Sequence, residues 1–102
     1  MPTPPDQRRR VVALVAARDM ADSVGPTVDA LRALPDVDDV LVVDDGSADG
    51  TGDAALSAGA RVLRLGANVG KGGAVRAGVD ATPEADVYLL VDADVGATAA
   101  AS

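Results

Sequence analysis

The stretch Val40-Leu41-Val42-Val43-Asp44-Asp45-Gly46-Ser47 decides the fold. Four apolar residues in a row, stopped abruptly by acids and a glycine, read as a strand covered on both faces, as in a parallel sheet. Val11 to Ala17 reads the same way, so these two strands are expected at the centre. Arg61-Val62-Leu63-Arg64-Leu65 carries two charges, which suits a sheet edge guarded against pairing. Val87-Tyr88-Leu89-Leu90-Val91 makes a fourth run.

Helical patterns lie between these runs. Val24, Val28, Leu31 and Leu34 recur at helical spacing, with Asp22 or Ser23 as the expected cap, Pro26 in the first turn and Pro35 as the stop. Ala54, Ala55, Leu56 and Ala58 predict a weaker helix closed by Gly59, and Val75 with Val79 marks a third that stops before Pro83. The alternation is that of an α/β fold. Right-handed crossovers, with a reversal after the third strand, give the sheet order 3-2-1-4. In such open sheets ligands bind beyond the carboxyl ends of the strands at the reversal point, here between the first and fourth strands.

Composition narrows the chemistry. At 102 residues the chain is one domain or part of one, and with Tyr88 as its single aromatic the core must be built from Val, Leu and Ala. A net charge of −7 argues against nucleic acid as a partner, since phosphate binding needs clustered Lys and Arg. Only Arg8, Arg9 and Arg10 cluster, on a Pro/Arg-rich tail (1–10) expected to be disordered at its start. Cysteine and histidine are absent, which removes disulfides, the usual zinc ligands and every Cys or His mechanism. No apolar run approaches the length of a membrane-spanning helix. The arginines followed by Val11 to Ala17 mimic a short signal peptide, but cleavage there would remove the first core strand. The expected location is the cytoplasm, the inner face of a membrane included.

Carboxylates remain, and 15 of the 16 acids are Asp. Strand ends place Arg18 and Asp19 after the first strand, Asp44, Asp45, Gly46 and Ser47 after the second, and Asp92, Ala93 and Asp94 after the fourth. Up to five carboxylates are thus expected on one rim, where mutual repulsion calls for a divalent cation. Asp36, Asp49 and Asp53 are read instead as turn formers and caps. Asn68-Val69-Gly70-Lys71-Gly72-Gly73 joins the third strand to the third helix and holds the chain's sole lysine. Backbone amides at such a glycine-rich helix start can bind an anion, which brings a diphosphate within reach. Two patterns fail. Gly66 to Gly72 lacks the spacing and the Ser or Thr of a P-loop, and an EF-hand beginning at Asp45 would need a Glu where Leu56 stands.

Together, Val42-Val43-Asp44-Asp45-Gly46-Ser47-Ala48-Asp49-Gly50-Thr51, then Asn68-Val69-Gly70-Lys71-Gly72, then Val91-Asp92-Ala93-Asp94 resembles the nucleotide-sugar half of family 2 glycosyltransferases. The likeness leans towards the polyprenyl-phosphate mannosyl- and glucosyltransferases. It implies a GT-A fold, a Rossmann-like parallel sheet with helices on both faces, over residues 11–96, with 97–102 an Ala-rich start of further sequence. It implies a UDP- or GDP-linked sugar as donor and a Mg²⁺ or Mn²⁺ ion bridging the diphosphate. Asp45 would contact the base and Asp44 support the turn. Asp92 would face the ribose or sugar, Asp94 would hold the metal with Asp92 beside it, and Lys71 and Gly72 would lie near the nucleotide or its phosphates. A polyprenyl phosphate is the acceptor that the likeness suggests.

Departures from the pattern are informative. The first strand of the family ends in a Pro-x-x-Asn-Glu type sequence, whereas Ala16, Ala17, Arg18, Asp19 and Met20 stand here. Arg18 and Asp19 could still touch the base. The acceptor half, with its general base, is expected outside this chain. The apolar fourth strand, outermost in the order 3-2-1-4, is expected to be covered by that half or by a second copy. Competing readings are a non-catalytic nucleotide-binding fragment, and a phospho-accepting receiver module built on Asp44, Asp45 and Asp92. The receiver leaves Val11 to Leu34 unexplained.

Overall fold

The computed structural model describes residues 9–93. The Met1 to Gln7 start, Arg8, Asp94 and the Ala-rich end lie outside the described residues. The chain runs β1 (Val11–Ala17), α1 (Ala21–Arg32), β2 (Asp39–Asp44), α2 (Thr51–Ser57), β3 (Arg61–Arg64), α3 (Gly70–Ala81), β4 (Val87–Asp92). The four strands form one parallel sheet in the order β3-β2-β1-β4, as the crossover rule requires. Register aligns the carboxyl ends: Ala17 lies opposite Asp44, and Ala16 opposite Asp92.

Alternation along β1 divides the core. Ala13, Val15 and Ala17 face α1 and α2, where Val24, Val28, Leu31 and Ala55 pack on them with Val40 and Val42 of β2. Val12 and Leu14 face α3, joined by Leu41, Val43 and Ala74 and flanked by Tyr88. Each fully buried Val or Leu contributes about 1.5–3 kcal/mol. Tyr88, the lone aromatic, donates its hydroxyl to the Thr82 carbonyl at 2.7 Å and so ties the end of α3 to β4.

The two sheet edges differ. On β3, Arg61 reaches Asp39 at 2.9 Å and Glu84 at 3.0 Å, and Arg64 reaches Asp53 at 2.6 Å. Exposed pairs of this kind add little stability, but they keep the edge charged. Hydrogen bonding to Asp39 holds the Arg61 guanidinium above its ordinary pKa. On β4, Leu90 is 60% exposed and Val87 and Leu89 are also open to solvent. Among the described residues no helix is long and apolar enough to cross a membrane.

Helix α1 departs from its expected start. It opens at Ala21 with Met20 as cap residue and no side-chain cap of its own, so Asp22 and Ser23 lie inside it and Pro26 falls in the second turn. The cap comes from elsewhere: Thr51 Oγ1 accepts the Met20 N–H at 2.9 Å, and Asp49 Oδ2 accepts the Ala21 N–H at 3.2 Å. A tertiary partner thereby replaces the local capping residue that spacing suggests. Pro26 costs one intrahelical bond, and the carbonyl it frees belongs to Asp22, an exposed residue.

Helix α3 packs on β1 and β2 at Gly78, where a Cβ would lie 2.4 Å from Leu14 Cδ1 and 3.0 Å from Val43 Cγ2. Overpacking a core contact costs about 1–3 kcal/mol, against a helix-propensity gain of about 1 kcal/mol for alanine. Gly78→Ala is expected to lower the urea midpoint despite the better helix former, and a raised midpoint would show that the helix and strand have room to spare.

Candidate functional site

The loop that follows β2 is where the sequence concentrates its polar residues, and almost every one has a structural task. Asp44 Oδ1 accepts the Ser47 N–H at 3.0 Å and closes the turn. Ser47 Oγ accepts the Asp19 N–H at 2.9 Å, while Asp19 Oδ1 accepts the Ala48 N–H at 2.8 Å. This reciprocal clasp holds Asp19 at a φ of 53°, a left-handed conformation that Asp tolerates better than most residues. Gly46, at φ 73°, passes so close to the β3–α3 loop that a Cβ would lie 3.0 Å from the Asn68 amide nitrogen. Asp49 also accepts the Thr51 N–H at 3.0 Å and a short hydrogen bond from the Thr51 hydroxyl. The hydroxyl contributes most to holding the Asp49 carboxyl below its ordinary pKa.

Asp45 makes the longest-range connection. Its carboxylate, 5% exposed, accepts the Val69 N–H at 2.8 Å through Oδ1 and the Gly70 N–H at 3.0 Å through Oδ2. These are amides at the start of α3, so the anion that the glycine-rich helix start binds is this side chain. Lys71, Gly72 and Gly73 form the first helical turn rather than a free loop, and Gly70 enters it at φ 84°. Asn68 Oδ1 also accepts the Gly70 N–H, at 3.0 Å.

A cleft of about 460 Å³ opens at the carboxyl ends of β1 and β4, the topological reversal point. Ala16, Ala17, Met20 and Ala93 give it an apolar lining, and Arg18, Asp45, Asn68, Lys71 and Asp92 bring polar groups. Lys71 Nζ lies 2.7 Å from Asp92 Oδ1. Of the residues named from sequence, Arg18, Asp45, Lys71, Asp92 and Ala93 thus converge, while Asp19, Asp44, Gly46, Ser47 and Gly72 do not line the cleft. The expected five-carboxylate rim is corrected accordingly: Asp19 and Asp44 are turned onto backbone amides, and Asp94 lies outside the described residues.

Met20, Asn68 and Gly70 are additions that the sequence reading missed as cleft residues. The glycine-rich stretch flagged Asn68 and Gly70. Met20 had a weaker signal, standing where the resembled family has an acid.

A Mg²⁺ or Mn²⁺ ion needs only one or two carboxylates when phosphates and water complete its shell, and Asp92 offers such an oxygen at the cleft wall. Among the described residues no group of three or more acids could enclose an ion unaided. The donor set therefore fits an ion that arrives with a phosphate ligand.

The family model described as Glycosyl transferase family 2 matches residues 12–98. The chain belongs to glycosyltransferase family 2. It is 32% identical over 96 residues to a glucosyl-3-phosphoglycerate synthase of Mycolicibacterium paratuberculosis, covering 85% of this chain and 29% of the relative. Among solved structures, the mannosyl-3-phosphoglycerate synthase from Rubrobacter xylanophilus is 36% identical with a TM-score of 0.76, over 84% of this chain and 31% of that one. The Mycobacterium tuberculosis glucosyl-3-phosphoglycerate synthase, in complex with Mn²⁺, UDP and glucosyl-3-phosphoglycerate, is 28% identical with a TM-score of 0.74, over 83% of this chain and 33% of that one. The chain spans about a third of the length of these relatives. The sheet order and neighbours are those of a GT-A fold. The named relatives do not include a polyprenyl-phosphate sugar transferase.

Two tests address this hydrogen-bonded frame. Asp45→Ala leaves two amides without their acceptor and is expected to lower stability by about 1–3 kcal/mol. Hydrogen exchange at Val69 and Gly70 should accelerate, and unchanged protection there would show that Asp45 does not hold the α3 start. Asp49, whose folded pKa is depressed, contributes stability present above its unfolded value of 3.8 and lost as pH falls through the lower folded value. Urea midpoints measured downwards from pH 5 should fall less steeply in Asp49→Asn than in the wild type.

Proposed function

We propose that this chain forms the donor-binding half of a glycosyltransferase that takes a sugar from a UDP-sugar and delivers it to a hydroxyl of a small phosphorylated acid. The observation that carries the proposal is the meeting of Asp45, Lys71 and Asp92, from three separate segments, in one cleft at the reversal point of the sheet. The named relatives support UDP as the nucleotide, and they favour phosphoglyceric acid over the polyprenyl phosphate of the original likeness. The proposed location is the cytoplasm.

Roles follow from the chemistry of each group. Each Asp45 oxygen keeps a lone pair after its backbone bond, so the carboxylate can accept an N–H from the base. Arg18 and Met20 line the same cleft, a cation and an apolar surface suited to a nucleoside. Lys71 supplies positive charge for the diphosphate beside Asp92. Asp92 and Asp94 would hold the Mg²⁺ or Mn²⁺ ion. When bound, that ion stabilises negative charge on the departing nucleoside diphosphate. Asp19, Asp44, Gly46 and Ser47 keep the loop in place without touching ligand, and Gly72 stands next to Lys71 in the first turn of α3. The general base is expected outside this chain, so the chain alone should bind donor and transfer little sugar.

Calorimetric titration of the chain with UDP, with and without Mn²⁺, is the direct test. Mn²⁺ should strengthen UDP binding, and UDP should bind more tightly than GDP. Asp92→Asn should remove the Mn²⁺ effect, while Lys71→Ala should weaken UDP about tenfold, the loss of one charge-assisted hydrogen bond. UDP heats indifferent to Mn²⁺ would overturn the proposal. A receiver-like chain would ignore both nucleotides and accept phosphate from acetyl phosphate instead.

A further inference from the structure

Helix α1 carries a polar residue on its buried stripe. Val24, Thr27, Val28 and Leu31 face the sheet together, and Thr27 is fully buried. Its hydroxyl lies 2.8 Å from the carbonyl oxygen of Ala93 and 2.9 Å from that of Ser23, one turn back in the same helix. The Ser23 contact is the local bond that a helical threonine ordinarily makes. The Ala93 contact joins residues 66 positions apart and has no local explanation.

Ala93 is the middle residue of Asp92-Ala93-Asp94, and it is 5% exposed, packed into the α1 side of the core. Its carbonyl lies one residue beyond Asp92, the last residue of β4. Anchoring that oxygen and burying the Ala93 methyl hold the residue that directly follows Asp92 in place at the carboxyl end of β4. We propose that Thr27 is a positioning residue for the metal and diphosphate site, acting through Ala93 from behind the sheet end without lining the cleft. This rests on the reading that Asp92 and Asp94 hold the ion. Removing a group that orients metal ligands without touching the ion typically costs about ten- to a hundredfold in metal affinity.

The test uses the full chain and three variants. Thr27→Val keeps the shape and removes the hydroxyl, Thr27→Ser keeps the hydroxyl, and Asp92→Asn removes a proposed ligand. The readouts are Mn²⁺ binding by electron paramagnetic resonance in the presence of UDP, and UDP affinity with and without Mn²⁺. In Thr27→Val the Mn²⁺ affinity should fall about ten- to a hundredfold while metal-free UDP affinity stays at the wild-type value. Thr27→Ser should stay within about threefold of wild type for both, well short of that loss.

Equal losses of metal-free and metal-dependent binding in Thr27→Val would mark a merely structural role and overturn the proposal, as would unchanged Mn²⁺ affinity. Should Thr27→Val not fold, the wild-type hydroxyl proton decides. Slow exchange and a nuclear Overhauser contact to Ala93 are expected, and a fast-exchanging hydroxyl would refute the anchor. If the wild type shows no Mn²⁺ binding with UDP, the functional reading itself fails and the proposal with it, an outcome distinct from both others.

Discussion

The carboxylate of Asp45, closed on the amides of Val69 and Gly70, is the constraint on which the site depends. Parallel pairing aligns the ends of β1, β2 and β4, but it says nothing about where the connection from β3 returns. Asp45 supplies that information. It draws the start of α3 back across the sheet end, and with it the only lysine of the chain, which then meets Asp92 at 2.7 Å. Because the carboxylate is buried and each oxygen accepts an N–H, the cost of removing a charge from water is offset by two charge-assisted bonds.

The same frame revises the expected repulsion among strand-end aspartates. Five acids were expected to crowd one rim and to require a cation. Asp19, Asp44 and Asp45 are instead each matched to backbone N–H groups, which neutralise them locally. The electrostatic case for a divalent ion narrows to Asp92 and its neighbour two residues on. A single ammonium already sits against Asp92, so the cleft offers a bound diphosphate both a cation and a metal-ligating oxygen.

The fold was legible because apolar runs, their flanking glycines and prolines, and the handedness of crossovers all act locally or by general rule. The four strands, three helices and sheet order follow from those signals. Partners supplied across the fold were not legible. The cap of α1 comes from Asp49 and Thr51, about 30 residues downstream, so spacing pointed to Asp22 and Ser23 instead. Asp49, read as a bland turn former, does cap the adjoining turn as expected, but it also serves the distant helix. Lining by Met20 was signalled only by its place in the resembled pattern, since a methionine by itself does not distinguish a cleft wall from a core or a surface. Thr27 did leave a trace, a hydroxyl among valines and a leucine at helical spacing. A buried stripe tolerates such a residue only with a partner.

Strand β4 joins these considerations, since it carries the cleft at one end and an open apolar edge along its length. The opposite edge, β3, is guarded by arginines that are themselves paired with acids. No such guard stands on β4, where Val87, Leu89 and Leu90 are exposed on a strand whose outer hydrogen-bonding side has no neighbour in the described sheet. Its carboxyl end is nevertheless held firmly, by pairing with β1 on the inner side and by Thr27 on the last buried carbonyl. The strand is therefore fixed where chemistry is proposed and left open where contact is possible. Any surface laid along it would border Asp92 directly, and would exclude water from the side of the cleft where charge on a departing diphosphate has to be stabilised.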